Sequence, residues 1–363
     1  MEMHVGFLSA LLRGHTHQVW VACASQTPLY DDLVKKGFVP YPFRPRGYVD
    51  SVAIARLAGW LRRQSVDIIH CHFSRDLWAV VPAARMAGRV PVVLIKHVGT
   101  MRAKRDPVHR WLYRNVAQAW AISRVIRDNL IATHPLPPGK VEVVHHGLDL
   151  SRFRVPQETR RRLRRELGFA EDALVVGTVG RLEPSKGHLE FLRMAGQVAS
   201  QVPQSVFLVV GAATRGEEFR AEPILRLAQE LNLGPRLVFA GFREDIPAVL
   251  SAMDVFAFPS RAEAFGLVVI EAMAAGLPVV STASDGVLDI VVDSESGLLV
   301  PPQDVAALAS AVLRLLRDPR LRRSVAAAAR RRVEELFTAE RMVQRVVELS
   351  WRIVCQSRGR GTG

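Results

Sequence analysis

The sequence predicts two doubly wound, Rossmann-like α/β domains that face each other across a cleft. Apolar, strand-like runs alternate with segments of helical periodicity from one end of the chain to the other. The runs place Val, Ile and Leu at consecutive positions, which is typical of parallel strands covered by helices on both faces. The 363 residues suffice for two hydrophobic cores. Such sheets bind ligands at the carboxyl ends of their strands, so the loops there are candidate sites.

Residues 1–150 are predicted to form the first domain. Its strands are expected at 17–24, 39–43, 66–73, 91–98, 118–123 and 141–147, with helical segments such as 51–64 between them. A doubly wound domain is expected to open with a strand. Here the first residues are apolar at helical spacing, at Val5, Leu8, Leu11 and Leu12. Either the topology is unusual or an opening strand lies outside this reading frame.

Residues 173–337 are predicted to form the second domain. Its strands are expected at 173–181, 205–212, 236–242, 254–260, 277–284 and 296–301. The preceding segment, 151–172, is polar, rich in arginine and without a strand-like run, which indicates a linker with an exposed helix. A helical segment, 338–363, ends the chain.

Charge and cysteine content narrow the function classes. The net charge of +14 lies early in the chain: residues 1–150 hold 20 Lys and Arg against 10 Asp and Glu, residues 151–165 hold 7 against 1, and the rest hold 22 against 24. Such a field attracts nucleic acid, anionic lipid or an anionic substrate, or it marks solvated surfaces only. Three single cysteines, with neither a leader nor an apolar run of about 18 residues, predict a cytoplasmic protein.

The strongest candidate site is the segment SRAEAFGLVVIEAMAAGLPVV, residues 260–280. It predicts a strand, a tight loop and a helix, whose first amides form an anion site suited to a diphosphate. Glu263 lies in the loop and Glu271 in the helix, so the two carboxylates can accept hydrogen bonds from hydroxyls in different parts of one ligand. Alternatively, Glu271 is only a surface residue of an amphipathic helix.

Two further loops follow strands of the same predicted sheet. GRLEPSKG, residues 180–187, comes directly after the strand residues 173–179, and its Arg181 and Lys186 can neutralise a diphosphate leaving group there. Gly286 starts a short helix after strand 277–284 and is a further candidate for contact with the ligand.

The histidines give weaker signals. His70 and His72 flank Cys71 on a predicted strand, whose alternation sends the cysteine to the opposite face, so these residues are not a ready set of metal ligands and no metal is expected. His97 ends the strand at 91–98, where a packed histidine is the simple alternative to a functional one.

The run GRLEPSKG, the segment VFAGFREDIPAVLSAMDVFAFPS, the two glutamates and SGLLVPPQD together resemble glycosyltransferase family 4, retaining enzymes of the GT-B fold. The resemblance implies that Glu263 contacts the donor sugar and Glu271 the ribose. It also implies that Phe265, Gly266 and Leu267, with Arg181 and Lys186, bind the diphosphate.

The resemblance assigns roles outside these loops too. Phe242 and Arg243 correspond to the base-binding segment, and His97 to a position close to the reacting sugar. His97, Glu263, Arg181 and Lys186 are therefore the implied catalytic residues. In HHGLDLSRF, His146 stands where the family usually has asparagine, which puts a polar role of that residue in doubt.

The implied activity is transfer of a hexose-type sugar from a nucleotide diphosphate sugar to a glycan or lipid-linked acceptor in cell-envelope polysaccharide or lipopolysaccharide synthesis, with no metal or cofactor. An epimerase or hydrolase of the same fold is the rival enzyme. A basic nucleic-acid-binding protein is the rival of another class, but the aromatic content of 7% is low for base stacking, so no nucleic acid is expected as a partner.

The resemblance also bears on the start of the chain and on the acceptor. Glu2 and His4 match the family's first helix, whereas the preceding strand and Gly-Gly loop have no counterpart, so the chain is expected to start at an internal methionine. The C-terminal helix is expected to cross back to the first domain. The basic segment 102–114 is expected to meet an anionic membrane, at the inner face of the cytoplasmic membrane.

Overall fold

A computed structural model of the protein describes residues 2–15 and 17–359. Met1, the expected internal start, lies outside the described residues, as do Thr16 and residues 360–363. The chain forms two compact units: unit 1 comprises residues 1–147 and 339–363, and unit 2 comprises residues 148–338. Each unit has parallel strands alternating with helices, which confirms the predicted α/β class.

Unit 1 opens with a helix, as its first residues predict. Its helices are α1 (Glu2–Gly14), α2 (Pro28–Lys35), α3 (Ser51–Arg63), α4 (Leu77–Met86), α5 (Pro107–Arg114) and α6 (Arg124–Thr133). Its strands are β1 (Ala22–Cys23), β2 (Tyr41–Pro42), β3 (Ile69–Cys71), β4 (Val92–Lys96), β5 (Gln118–Ala121) and β6 (Val141–Val143).

Unit 2 follows without a break. Its helices are α7 (Gln157–Glu166), α8 (His188–Ala199), α9 (Glu222–Glu230), α10 (Ile246–Ser251), α11 (Leu267–Ala274), α12 (Val287–Ile290), α13 (Val305–Arg317) and α14 (Pro319–Leu336). Its strands are β7 (Leu174–Val179), β8 (Ser205–Val210), β9 (Leu237–Phe239), β10 (Val255–Phe258), β11 (Val279–Thr282) and β12 (Leu298–Val300). The last helix, α15 (Ala339–Gly359), belongs to unit 1.

Several helices begin at a side-chain cap followed by proline. Thr27 accepts a hydrogen bond from the backbone of Tyr30 at the start of α2, and Asp106 caps α5 in the same way. Asp318 accepts from two amides of α14. A polar N-cap satisfies an amide that has no partner within the helix, and proline at the first helical position has no amide to satisfy. These short sequence signals set where the helices begin.

The parallel strands of unit 1 form two sheets. β1 pairs with β2, and β3, β4, β5 and β6 pair in chain order. Helix α15 packs on the larger sheet, where Val346 and Leu349 join a buried cluster with Val93 and Trp120. Arg345 of this helix pairs with Glu142 at 3.0 Å.

Unit 2 contains one six-stranded parallel sheet in the order β12-β11-β10-β7-β8-β9. Its first strand, β7, is central, and Val176 on β7 is fully buried together with Phe207 on β8 and Val255 on β10. Because β7, β10 and β11 are adjacent and parallel, the loops that follow them lie at one edge of the sheet.

The segment predicted as a linker, 151–172, packs on unit 2. Arg160 on α7 donates to Asp254 at 2.7 Å, and Arg164 lies 3.3 Å from the same carboxylate. Asp254 also accepts the amide of Val175 at 2.8 Å. The arginines that make this segment look solvent-exposed in the sequence therefore anchor it to the start of β7.

Candidate functional site

Three loops meet at the carboxyl edge of the unit 2 sheet, after β7, β10 and β11. The amide of Arg261 donates to the carbonyl of Ser185 at 3.0 Å, which joins the first two loops. The amide of Gly286 donates to the carbonyl of Glu263 at 2.9 Å, which joins the second and third. The three loops that hold the strongest sequence motifs thus form one connected site.

An ion pair lies within this site. Lys186 Nζ is 2.7 Å from Glu263 Oε2, and the two side chains are 20% and 17% exposed. From the sequence, the lysine is expected to bind a diphosphate and the glutamate a sugar. The structure brings these two residues together as partners in one ion pair.

Two glycines allow the loops to approach so closely. Gly187 has φ +76°, and a Cβ there would lie 1.8 Å from the carbonyl oxygen of Pro259. A Cβ on Gly286 would lie 2.5 Å from the Cα of Phe265. Neither position has room for a side chain, so the contact between the loops depends on glycine.

Helix α11 begins at the same edge. Gly266 precedes it with φ +100°, and Leu267 is its first residue. The first amides of a helix have no carbonyl partner within it and favour anions. Phe265 is only 2% exposed, with its ring 5.9 Å from that of Phe337. Its side chain is therefore part of the core, and only its backbone can serve the predicted diphosphate contact.

Glu271 lies one turn into α11. Burial raises the pKa of this carboxyl to about 7, and the positive charge of Arg152 opposes the rise. The side chain is partly buried rather than a freely solvated residue of an amphipathic helix. Near neutral pH it therefore changes between a hydrogen-bond donor and a charged acceptor.

Arg181 is held by a residue that the sequence did not single out. Glu183, of which 7% is exposed, accepts from Arg181 at 3.1 Å and from the hydroxyl of Ser185 at 2.9 Å. The side chain of Arg181 is 60% exposed and can reach a ligand. Because Glu183 lies inside the GRLEPSKG motif, the motif itself is the sequence feature that marks this residue as part of the site.

A second buried carboxylate orients the loop after β10. Glu190 on α8 is 3% exposed and pairs with Arg261 at 2.8 Å. His188 on the same helix is 1% exposed and contacts the carbonyl oxygen of Arg181 through Nε2 at 2.8 Å. Both residues contact the loops that hold the candidate site.

The predicted base-binding residues lie at the end of the sheet, after β9. Phe242 is 72% exposed. Arg243 pairs with Glu166 and with Asp245, both at 2.7 Å. Strand β8 separates β9 from β7, so these residues follow a different strand from the Lys186–Glu263 pair.

In unit 1, His97 belongs to a cluster of histidines. His97 follows β4, is 8% exposed, and its Nε2 lies 3.1 Å from Nδ1 of His72. The rings of His4 and His146 lie 5.3 and 5.5 Å from that of His97. Burial lowers the pKa of His97 to about 3 and that of His4 to about 4, so these imidazoles are neutral at pH 7.

The described part of the chain, residues 2–15 and 17–359, has no group of three or more His, Cys, Asp and Glu residues arranged to hold a metal ion. No helix in these residues is long and apolar enough to cross a membrane.

Comparisons with known proteins identify the family. Residues 1–152 match the model of Glycosyltransferase Family 4, and residues 159–332 match that of Glycosyl transferases group 1. The UDP-Gal:alpha-D-GlcNAc-diphosphoundecaprenol alpha-1,3-galactosyltransferase of Escherichia coli is 30% identical over 325 residues, 85% of this chain and 82% of the relative. The D-inositol 3-phosphate glycosyltransferase of Mycobacterium leprae is 34% identical over 277 residues, 75% of this chain but only 61% of the relative.

Solved structures share the fold. A glycosyltransferase from Rickettsia africae superposes with a TM-score of 0.88 at 19% identity, covering 97% of this chain and 94% of that one. Alr3699/HepE from Anabaena, in complex with UDP, gives a TM-score of 0.83 at 23% identity, covering 96% and 95%. With both halves matched by family models and a relative at 30% identity over most of its length, the chain is a member of glycosyltransferase family 4.

Proposed function

We propose that this glycosyltransferase moves a hexose-type sugar from a nucleotide diphosphate sugar to a glycan or lipid-linked acceptor, with retention of configuration and without a metal or cofactor. The pair formed by Lys186 and Glu263 carries the proposal. It places a cation and a carboxylate side by side where three loops and the start of α11 meet. A diphosphate needs the cation and amides, and sugar hydroxyls need the carboxylate.

Donor binding separates the pair. Lys186 moves to the diphosphate, and Glu263 is then free to accept hydrogen bonds from the sugar. Arg181 adds a second cation, and the backbone amides of Gly266 and Leu267 supply donors at the helix start. Glu271 accepts hydrogen bonds from the ribose hydroxyls, and Phe242 and Arg243 bind the base.

The bond between the anomeric carbon and the diphosphate oxygen breaks during transfer. The acceptor oxygen bonds to the same face of the sugar, and its proton passes to the departing diphosphate. Lys186 and Arg181 stabilise the negative charge that develops on this leaving group. His97 supports the positively charged sugar through its carbonyl or its neutral ring, without a covalent bond.

The relatives indicate which donors and acceptors to test first. The Escherichia coli relative is named for a UDP-galactose donor and a diphosphoundecaprenol-linked acceptor, and the Mycobacterium leprae relative for an inositol phosphate acceptor. The Anabaena structure holds UDP. We therefore propose UDP-sugars as donors and a lipid-linked glycan as acceptor, met in the cytoplasm during synthesis of cell-envelope polysaccharide or lipopolysaccharide.

A surface of unit 1 supports a membrane-bound acceptor. Met101 is fully exposed, and Val108 and Trp111 are 50% and 44% exposed. The same stretch, residues 101–114, contains five Lys and Arg residues. Exposed apolar side chains among basic ones suit the interface of an anionic bilayer, such as the inner face of the cytoplasmic membrane.

The test is a donor and acceptor screen with the purified chain. UDP-sugars are incubated with undecaprenyl diphosphate-linked glycans and with inositol phosphate, with EDTA present, and the products are analysed by mass spectrometry and anomeric NMR. We expect one UDP-sugar to be transferred with its anomeric configuration retained. An inverted product, a requirement for divalent metal, or epimerised or hydrolysed donor without transfer would refute the corresponding part of the proposal.

A further inference from the structure

A buried lysine ends β4 in unit 1, directly before His97. Lys96 is 8% exposed, and its ammonium group donates to the hydroxyl of Ser74 at 3.1 Å. The hydroxyl of Ser74 is also hydrogen-bonded to that of Tyr113 on α5. Within residues 2–15 and 17–359, Lys96 forms no ion pair with a carboxylate. A buried ammonium has three hydrogens to place and is costly without an anion, so this lysine needs a further partner.

His134, which follows α6, is a second incompletely bonded group beside Tyr113. It is 2% exposed, and its ring lies 4.9 Å from the ring of Tyr113. The hydroxyl of Thr133 donates to the carbonyl of Asn129, so its oxygen accepts from Nδ1–H of His134 at 2.8 Å. The other ring nitrogen, Nε2, is buried and has no hydrogen-bond partner among the described residues. In this tautomer Nε2 carries a lone pair and accepts a hydrogen.

A second lysine adds positive charge at the same place. The amide of Lys104 donates to the last carbonyl of α6 at 2.7 Å, which holds this residue beside His134. Burial lowers the pKa of His134 to about 3, and the charges of Lys96 and Lys104 contribute to this shift. His109 on α5 contributes as well, and its own partner is Asp106. Burial and the charge of Lys104 lower the pKa of Lys96 to about 8. The charges that act on this group are therefore mostly of one sign.

We propose that Lys96, Lys104 and His134 form a binding site for a phosphate monoester, built by unit 1 without any residue of the donor site. Oxygens of the phosphate accept hydrogen bonds from the two ammonium groups and neutralise their charge. A monoester also has an oxygen that is partly protonated near pH 7, and this hydroxyl donates to Nε2 of His134. A carboxylate is fully ionised at this pH and offers no such hydrogen, and a phosphodiester likewise has none.

The monoester comes either from solution or from a lipid. Lys104 belongs to the stretch 101–114, for which contact with an anionic bilayer is proposed and in which Met101 is fully exposed. A lipid that ends in a phosphate would reach the site from this surface, whereas inorganic phosphate or a sugar phosphate would enter from water. The chemistry at the three side chains is the same for both sources.

The ring nitrogens of His134 report on this site without reference to sugar transfer. The whole chain, labelled with ¹⁵N-histidine and assigned with His134→Gln, is titrated with inorganic phosphate, with dihexanoyl phosphatidic acid and with the diester dihexanoyl phosphatidylglycerol. We expect the monoesters to shift Nε2 and to raise the pKa of His134, because a bound anion favours the charged imidazole. A soluble source predicts tighter binding of inorganic phosphate, and a lipid source predicts tighter binding of phosphatidic acid.

Variants at Lys96 separate a binding role from a structural one. Lys96→Met removes a buried unpaired charge, so the Tm measured by tryptophan fluorescence without phosphate should not fall. The affinity of this variant for phosphate should drop about ten- to a hundredfold, because a charge-assisted hydrogen bond is lost. Lys35→Met, at an exposed position of α2, is the matched control and should change neither quantity. Lys186→Met alters the donor site and should leave the His134 shift intact, so the outcome is independent of the proposed function.

The proposal is overturned if none of the probes shifts His134, or if the diester binds as tightly as the monoesters. It is also overturned if Lys96→Met binds phosphate as wild type does, or if the shift disappears in Lys186→Met, because the phosphate is then held elsewhere. A lower Tm of Lys96→Met without phosphate would overturn it too, since the lysine would then serve the fold and not a ligand.

Discussion

The ammonium group of Lys186 lies 2.7 Å from a carboxylate oxygen of Glu263, although 77 positions separate them in the chain. The pair forms because β7 and β10 are adjacent and parallel, so their following loops share an edge. Each residue is charged and mostly buried, which is costly unless the charges are paired. The two residues satisfy each other at the point where a donor is proposed to bind.

Replacing either residue of this pair should impair transfer more than folding. We expect Lys186→Met and Glu263→Gln each to lower kcat/KM by about 10²- to 10³-fold, because each removes a group that stabilises the transition state. The double variant should lose less than the product of the two, since the residues are in contact. Steady-state kinetics with a UDP-sugar provide the measurement.

Glu334→Gln is the matched control for that comparison. It removes a carboxylate from an exposed ion pair with Arg330 on α14 and should leave kcat/KM unchanged. Wild-type turnover by Lys186→Met or Glu263→Gln would rule out the proposed donor site.

Gly286→Ala should displace the loop that carries Glu263. The new Cβ would lie 2.5 Å from the Cα of Phe265, and backbone cannot move aside as a flexible side chain can. We expect a loss of about 1–3 kcal/mol in the free energy of unfolding, by urea denaturation, and weaker donor binding. Gly139→Ala, whose Cβ meets nothing within 4 Å, should change neither quantity. Equal behaviour of the two variants would contradict this account of the loop contact.

Donor affinity should improve as the pH rises through 7, because of Glu271. The pKa of this carboxyl is about 7, and the ionised form is the stronger acceptor for ribose hydroxyls. We expect the donor KM to fall between pH 6 and 8 in the wild type and to be flat in Glu271→Gln. A KM for wild type that does not change with pH would argue against a ribose contact at this position.

The same shift predicts a pH-dependent stability. In the unfolded chain Glu271 ionises near its ordinary value of 4.5, so between pH 4.5 and 7 the folded state holds a proton that the unfolded state has lost. Stability therefore falls as the pH rises through this window, by about 1.4 kcal/mol per pH unit from this group. Relative to wild type, Glu271→Gln should gain stability from pH 4.5 to 7 in urea titrations followed by circular dichroism.

Unit 1 should lose stability in acid because of its histidine cluster. The pKa of His97 is about 3 and that of His4 about 4, against 6.5 in an unfolded chain. As the pH falls from 6.5 to about 4, the unfolded state takes up protons that the folded unit does not. The free energy of unfolding then drops by about 1.4 kcal/mol per pH unit for each such histidine.

Tryptophan fluorescence can follow this loss in unit 1 alone. All six tryptophans lie there: Trp20, Trp60, Trp78, Trp111, Trp120 and Trp351. His97→Asn should give a shallower dependence of the urea midpoint on pH than wild type. An identical dependence in both proteins would mean that the burial of His97 does not govern the acid sensitivity.

Binding to anionic vesicles should depend on the exposed stretch 101–114. We expect the protein to sediment with phosphatidylglycerol vesicles and to sediment less with neutral vesicles. Trp111→Glu should lose binding, because its carboxylate opposes insertion into the bilayer and is repelled by the anionic surface. Phe219→Glu, which changes a residue 62% exposed in unit 2, is the control and should bind as wild type does. Equal binding to both vesicle types at low salt would contradict a membrane role.

Much of the fold follows from local patterns in the sequence. Every predicted strand overlaps an observed one. Most of them contain consecutive Val, Ile and Leu residues, which signal a doubly covered parallel strand whatever its neighbours are. The strands are often shorter than the apolar runs, however: the run at 17–24 contains only the two residues of β1. Pairing partners set the length of a strand, and β1 has a described partner on one side only.

Local sequence patterns are enough to predict which segments become strands and helices, which motif follows which strand, and that residues 2–14 form a helix, since periodicity, caps and glycines act over a few residues. They do not predict that Lys186 pairs with Glu263, that the ring of Phe265 packs in the core, or that His4, His72, His97 and His146 share one cluster, which the folded structure alone establishes. Strand order brings these distant residues together, and strand order is a property of the whole sheet that no local pattern specifies.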